Sequence, residues 1–198
     1  MLQPYQPPPL PVIEGQIVSD GVLDQRQYEA FRARLSKWKD VLIAKMLRAT
    51  GIRVSELLRL EARHYSVSGP EFSILVKRKK SRSKKPQETY DRVYLPPILG
   101  VEIRDYIKGQ HIGPSDRVFP QTVRALEYSF ARAGIKGIGR AVRPHEMRHL
   151  YCKTLIDGGV PFPAAAKLLG HANPETTAKW YYDLTTEQRR AIGERMPI

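Results

Sequence analysis

The stretch that decides how this chain is read is RPHEMRHLYCKTLIDGG, Arg143 to Gly159. Proline at the first position of a helix forfeits no needed N–H and presets φ, so Pro144 marks a helix start. His145 and Arg148 then share a face, while Leu150, Leu155 and Ile156 supply much of the buried side. Two arginines, two histidines and a glutamate crowd the first turns. Cations that face a core are costly to bury without a partner. The segment is therefore either a solvated surface or a holder for an anion, and the rest of the chain decides between the two.

The chain has 198 residues, 41% of them hydrophobic, enough for one domain with a core plus an arm. Its formal net charge of +13 draws it to polyanions, above all nucleic acid. An anionic membrane is the rival partner, but the sequence has no long apolar run and no basic amphipathic anchor. The opening MLQPYQPPPLPV lacks the basic and apolar regions of a signal peptide. The single cysteine, Cys152, excludes an internal disulfide and a multi-cysteine metal site and fits a reducing, cytoplasmic compartment.

Outward from the deciding stretch, the pattern is mostly helical. Residues 1–20 read as a proline-rich N-terminal arm or linker, and 21–198 as the main domain. Leu23, Tyr28, Phe31 and Leu35 share a helical face, followed by Trp38, Leu42, Met46 and Leu47, with Gly51 as a C-cap. RVSELLRLEARHY reads as a short helix, and EFSILVKRKK and ETYDRVYLPP as strands joined by a basic turn. Helical patterns resume after Pro97, with breaks at Gly113-Pro114, Gly137 to Arg140, Gly158-Gly159 and Gly170. The expected fold is mainly α with a small antiparallel β-sheet, an α+β domain.

Three further groups offer themselves to an anion. Arg53 follows Gly51 at a helix opening, where free N–H groups and the helix dipole favour negative charge, and Glu56 lies one turn on. Lys77 to Lys85 holds seven basic residues in nine: Lys77, Arg78, Lys79, Lys80, Arg82, Lys84 and Lys85. Such a turn is either a solvated tip or a phosphate-backbone contact, and one lysine near the end of its strand could reach into a site. His171 follows Gly170, and Tyr181 and Tyr182 come ten residues later.

Taken together, these groups match metal-free attack of a tyrosine on a phosphodiester. The transition state carries extra negative charge, which planar, always-charged guanidiniums stabilise. The leaving oxygen needs a proton, which lysine can give, and histidine can accept the phenolic proton near neutral pH. A covalent intermediate conserves the phosphodiester energy, so neither ATP nor another cofactor is needed.

The ordered segments TGIRVSELLRL, HEMRH, LLGHANPETT and WYYDLT resemble the motif boxes of the tyrosine recombinase/phage integrase family, from about Leu23 to Leu184. The resemblance implies a mainly helical catalytic domain with a small antiparallel sheet on one edge. It makes Arg53 and Arg148 the catalytic arginines, with Glu56 supporting, His171 assisting and His145 the base. Alignment of Ile74 and Val76 with the family's strand selects Lys79 as general acid, with Lys77 the alternative. Trp180 stands where many members carry the nucleophile, so Tyr181 fits a one-residue-longer variant and Tyr182 stays open. Arg78, Lys80, Arg82, Lys84 and Lys85 are expected, with Lys77, to contact DNA.

The implied activity is cleavage and rejoining of double-stranded DNA through a 3′-phosphotyrosyl link, by a tetramer on paired sites, without metal. The implied setting is a prokaryotic cytoplasm and nucleoid, a virus or a mobile element. A DNA-binding regulator that has lost catalysis is the competing reading, and a type IB topoisomerase would use a similar residue set. Many relatives carry a separate N-terminal DNA-clamping domain, for which residues 1–20 are too short, so a short member or a catalytic-domain fragment is expected. The Met1 start favours a short member over a fragment.

Overall fold

The computed structural model describes residues 23–68, 71–79 and 88–160, with 164, 165, 168 and 169 beyond them. Residues 1–20, read above as an arm, lie outside the described residues. The chain divides into two compact units, Met1–Thr154 and Leu155–Ile198.

In the first unit, α1 (Gln25–Arg32) starts at a reciprocal cap. Asp24 accepts from the Gln27 backbone N–H at 2.8 Å, and the Gln27 side chain accepts from the Asp24 N–H at 3.1 Å. The apolar face expected from the sequence, Leu23, Tyr28, Phe31 and Leu35, is buried. It does not run on unbroken, because α2 spans Trp38–Thr50 after a turn. Leu42, Met46 and Leu47 face the core as expected, whereas Trp38 is 55% exposed at the helix start. There its ring instead lies under the Lys45 ammonium, 5.4 Å from the ring centre.

The helix expected over RVSELLRLEARHY is only α3, Val54–Leu57. A 3₁₀ turn (Ala62–His64) follows and leads into β1 (Tyr65–Ser68). With β2 (Glu71–Lys79) and β3 (Glu88–Leu95), β1 forms a three-stranded antiparallel sheet in the order β1-β2-β3. Side chains alternate across a strand, so Phe72, Ile74 and Val76 of β2 fill the core face.

Two helices then close the core. α4 (Pro97–Gly109) brings Gly100 against β2, where any Cβ would overlap the Phe72 ring. α5 (Val123–Ile138) sets Phe130 edge-on to Phe31 at 5.0 Å. The break expected over Gly137 to Arg140 is found at Gly139, whose φ of 74° ends the helix. Gly137 is instead helical, at a close approach of the Ala30 backbone.

α6 covers Pro144–Asp157, with the start expected at Pro144. Its buried residues are Pro144, Met147, Arg148, Leu150 and Cys152, while Leu155 and Ile156 are partly exposed. In the second unit, the Gly159 N–H donates to the Ile156 carbonyl at 2.9 Å, with Gly159 at a φ of 83°.

Candidate active site

The site begins where α2 ends. Gly51 takes the left-handed conformation, with a φ of 62°, that a side chain would disfavour. The chain turns there, buries Ile52 and presents Arg53 as the residue capping α3. Glu56 folds back under it. Its carboxylate accepts from the Arg53 backbone N–H at 2.8 Å and from Arg53 Nη1 at 3.0 Å. Glu56 is thus both cap and orienter, and it is buried rather than a surface partner: its side chain is 6% exposed against 42% for Arg53.

A second guanidinium reaches the same carboxylate. Arg78 Nη1 donates to Glu56 Oε2 at 2.9 Å, and Arg78 Nε donates to Asp91 on β3 at 3.1 Å. The sequence reading placed Arg78 with the DNA-contacting cations of the hairpin tip. The structure instead buries it, because it continues the alternation of Phe72, Ile74 and Val76 onto the core face of β2. Lys77, one residue earlier, is on the exposed face beside Tyr90, and both line a cavity that also reaches Glu56 and Arg59.

α6 supplies the third guanidinium. Arg148 is 3% exposed, and its Nη1 donates to the Gly51 carbonyl at 2.6 Å. It therefore grips the turn that presents Arg53. Burial first, then the Arg53 charge, lowers the Arg148 pKa to about 10, with Glu56 opposing and Arg78 adding to the push. Three cations thus share a region with one buried carboxylate and the half-exposed Asp91. Among the described residues, such a cluster of guanidiniums is suited to receive an anion.

His145 reaches solvent at the start of α6. Packing around it disfavours its charged form, and Arg148 and Arg53 add to that, so its pKa is lowered. A neutral imidazole beside two guanidiniums is equipped to accept a proton. His149, which the sequence reading passed over, meets His145 edge-on at 4.6 Å. Burial first, then His145 and Arg148, lowers its pKa to about 4.

The structure therefore brings together Arg53, Glu56, Arg148 and His145, and adds Arg78 and His149. Lys79 ends β2 opposite Glu88, and its side chain lies outside the described residues. So do Lys80, Arg82, Lys84, Lys85, His171, Tyr181 and Tyr182. Away from the cluster, Arg34, Lys37, Lys39, Arg124, Arg132 and Lys136 line a groove of about 690 Å³ between the α1–α2 turn and α5. Buried Asp40 at its base accepts from Ser129 at 2.6 Å and Gln121 at 3.2 Å. Among the described residues, no helix is long and apolar enough to cross a membrane.

The model of the phage integrase family matches residues 22–188. A tyrosine recombinase of Pseudothermotoga lettingae is 27% identical over 183 residues, covering 89% of this chain and 61% of the relative. Tyrosine recombinase XerA of Thermococcus kodakarensis is 31% identical over 169 residues, covering 81% of this chain and 56% of the relative. The chain thus spans less than two thirds of the length of these relatives. The crystal structure of XerA recombinase superposes with a TM-score of 0.71 at 23% identity, covering 97% of this chain and 68% of that one. The Tn1549 transposon integrase, in complex with transposon right end DNA, gives 0.68 at 21% identity, covering 93% and 69%.

Proposed function

Since the chain belongs to the phage integrase family, we propose that it is a site-specific DNA recombinase or integrase that breaks and rejoins strands through a 3′-phosphotyrosyl intermediate. The observation that carries this reading is the grip of Arg148 on the Gly51 carbonyl, which sets it against the turn bearing Arg53. Two remote guanidiniums beside a neutral histidine suit a phosphodiester whose transition state gains charge.

In this reading Arg53 and Arg148 hold the scissile phosphate and Glu56 orients Arg53. The Tyr181 oxygen attacks phosphorus and its proton passes to His145. The P–O5′ bond breaks, and Lys79 protonates the departing oxygen. His171 assists at the phosphate. Rejoining reverses these steps with a new 5′ hydroxyl, so the scheme consumes neither ATP nor metal. Duplex DNA is the partner, acted on in a prokaryotic cytoplasm or from a mobile element, with a tetramer forming on paired sites. The groove of six cations supports an extended duplex contact.

A nicked suicide duplex tests the reading, because loss of a short fragment traps the intermediate. The expected product is a DNA-linked protein band that survives SDS and is absent in Tyr181→Phe. DNA binding without any adduct would favour the catalysis-free regulator, and an adduct lost only in Tyr182→Phe would reassign the nucleophile.

A further inference from the structure

Arg78 has no role in the chemistry above, yet it is buried and held on two sides. Its side chain is 8% exposed and is held by two carboxylates from different elements, Glu56 on α3 and Asp91 on β3. Such a burial is costly unless the geometry does something with it, since an apolar residue at this place in the strand would complete the core face more cheaply.

Its neighbours say what it does. Lys77 and Lys79, the two candidate proton donors, flank it directly in β2. Its partner Glu56 is the same carboxylate that holds Arg53. One carboxylate thus ties the lysine-bearing strand to the arginine-bearing turn. We propose that Arg78 is a positioning residue, which fixes the general-acid lysine relative to the phosphate clamp through Glu56. A planar guanidinium suits this task because Nε and Nη1 can bind two acids at once, which an ammonium on a flexible stem does less well. The inference rests on the recombinase reading of the site.

Leaving-group chemistry separates this role from a structural one. With oxygen at the scissile position, P–O5′ cleavage needs the lysine proton. With sulfur in place of that bridging oxygen, the P–S bond breaks to a thiolate, which leaves without one. Arg78→Lys and Asp91→Asn would be compared with the unaltered protein on both nicked duplexes in single-turnover cleavage. Asp91 is about half exposed, so Asp91→Asn leaves the core intact if Arg78→Lys fails to fold.

The expected result is a loss of ~10²-fold for Arg78→Lys on the oxygen duplex, most of it recovered on the sulfur duplex. Asp91→Asn should show a smaller loss with the same recovery. Equal losses on both duplexes, or no loss on either, would overturn the proposal. Absence of any adduct from the unaltered protein on both duplexes would instead remove the recombinase reading, and this inference with it.

Discussion

Arg148 donates to the carbonyl oxygen of Gly51 across 2.6 Å, so a helix late in the chain holds the turn that presents Arg53. The contact is made by a guanidinium whose charged form the folded protein disfavours, with its pKa lowered to about 10. At neutral pH that charge opposes folding relative to the solvated, unfolded chain. Arg148→Met removes the opposition and leaves one carbonyl without this donor, at about 1–3 kcal/mol. The two effects offset, so urea denaturation should find Arg148→Met within ~1 kcal/mol of the unaltered protein, while cleavage falls by ~10²–10³-fold. A stability loss well beyond that with cleavage retained would make Arg148 a structural residue.

The two histidines of α6 make both cleavage and stability rise with pH. As a base, His145 works when neutral. Its lowered pKa means cleavage should rise with pH and level off below the ordinary histidine value of about 6.5. Replacing Arg53 by methionine removes one cause of the lowering and should move that rise to higher pH. For stability, the unfolded chain binds protons to both histidines more readily than the folded one, so stability rises with pH across the window. For His149 the window runs from about 4 to the ordinary value. Urea midpoints should fall as the pH is lowered through it, and His149→Asn should flatten the fall.

Glu56 accepts from Arg53 and from buried Arg78. Glu56→Gln leaves Arg78 without its buried counter-charge and should cost about 3–5 kcal/mol in urea denaturation. Adding Arg78→Met should restore much of that loss, because the pair is then replaced by neutral groups. A double substitution less stable than Glu56→Gln alone would show that Arg78 is not strained by the missing carboxylate.

Arg53, His145 and Arg148 were legible in the sequence because turn and cap chemistry surrounds them: Gly51 before one, Pro144 before the others. Arg78 was hidden by composition. In a run of seven cations each looks solvated, and only the alternation of Phe72, Ile74 and Val76 marks the fourth position as inward. The position of β1 is hidden for a related reason. Tyr65–Ser68 carries two serines and no long apolar run, and its pairing to β2 rests on backbone bonds that sequence does not display. His149 carries no such signal, because its perturbation comes first from burial, a tertiary effect, and only then from His145 one helical turn away.

Duplex binding should weaken steeply with salt. With ~6–10 phosphate contacts, affinity falls by about 10³–10⁵ between ~50 and ~200 mM salt. Lys37 and Lys39 line the basic groove. Replacing both with alanine should weaken binding alike across DNA sequences and reduce the log–log salt slope by about 2. An unchanged slope would place the duplex elsewhere on the surface.

The central claim is that the guanidinium cluster answers charge developing on a phosphate. Arg53 tests it most directly, since its side chain is partly exposed and its loss spares the core. Single-turnover cleavage would be compared on a suicide duplex with a normal scissile phosphate and on one carrying an uncharged methylphosphonate there. Arg53→Ala should be slower by ~10²–10³-fold on the phosphate, with most of that difference gone on the methylphosphonate. An equal loss on both would show that Arg53 does not act through the charge of the phosphate, and would contradict the account.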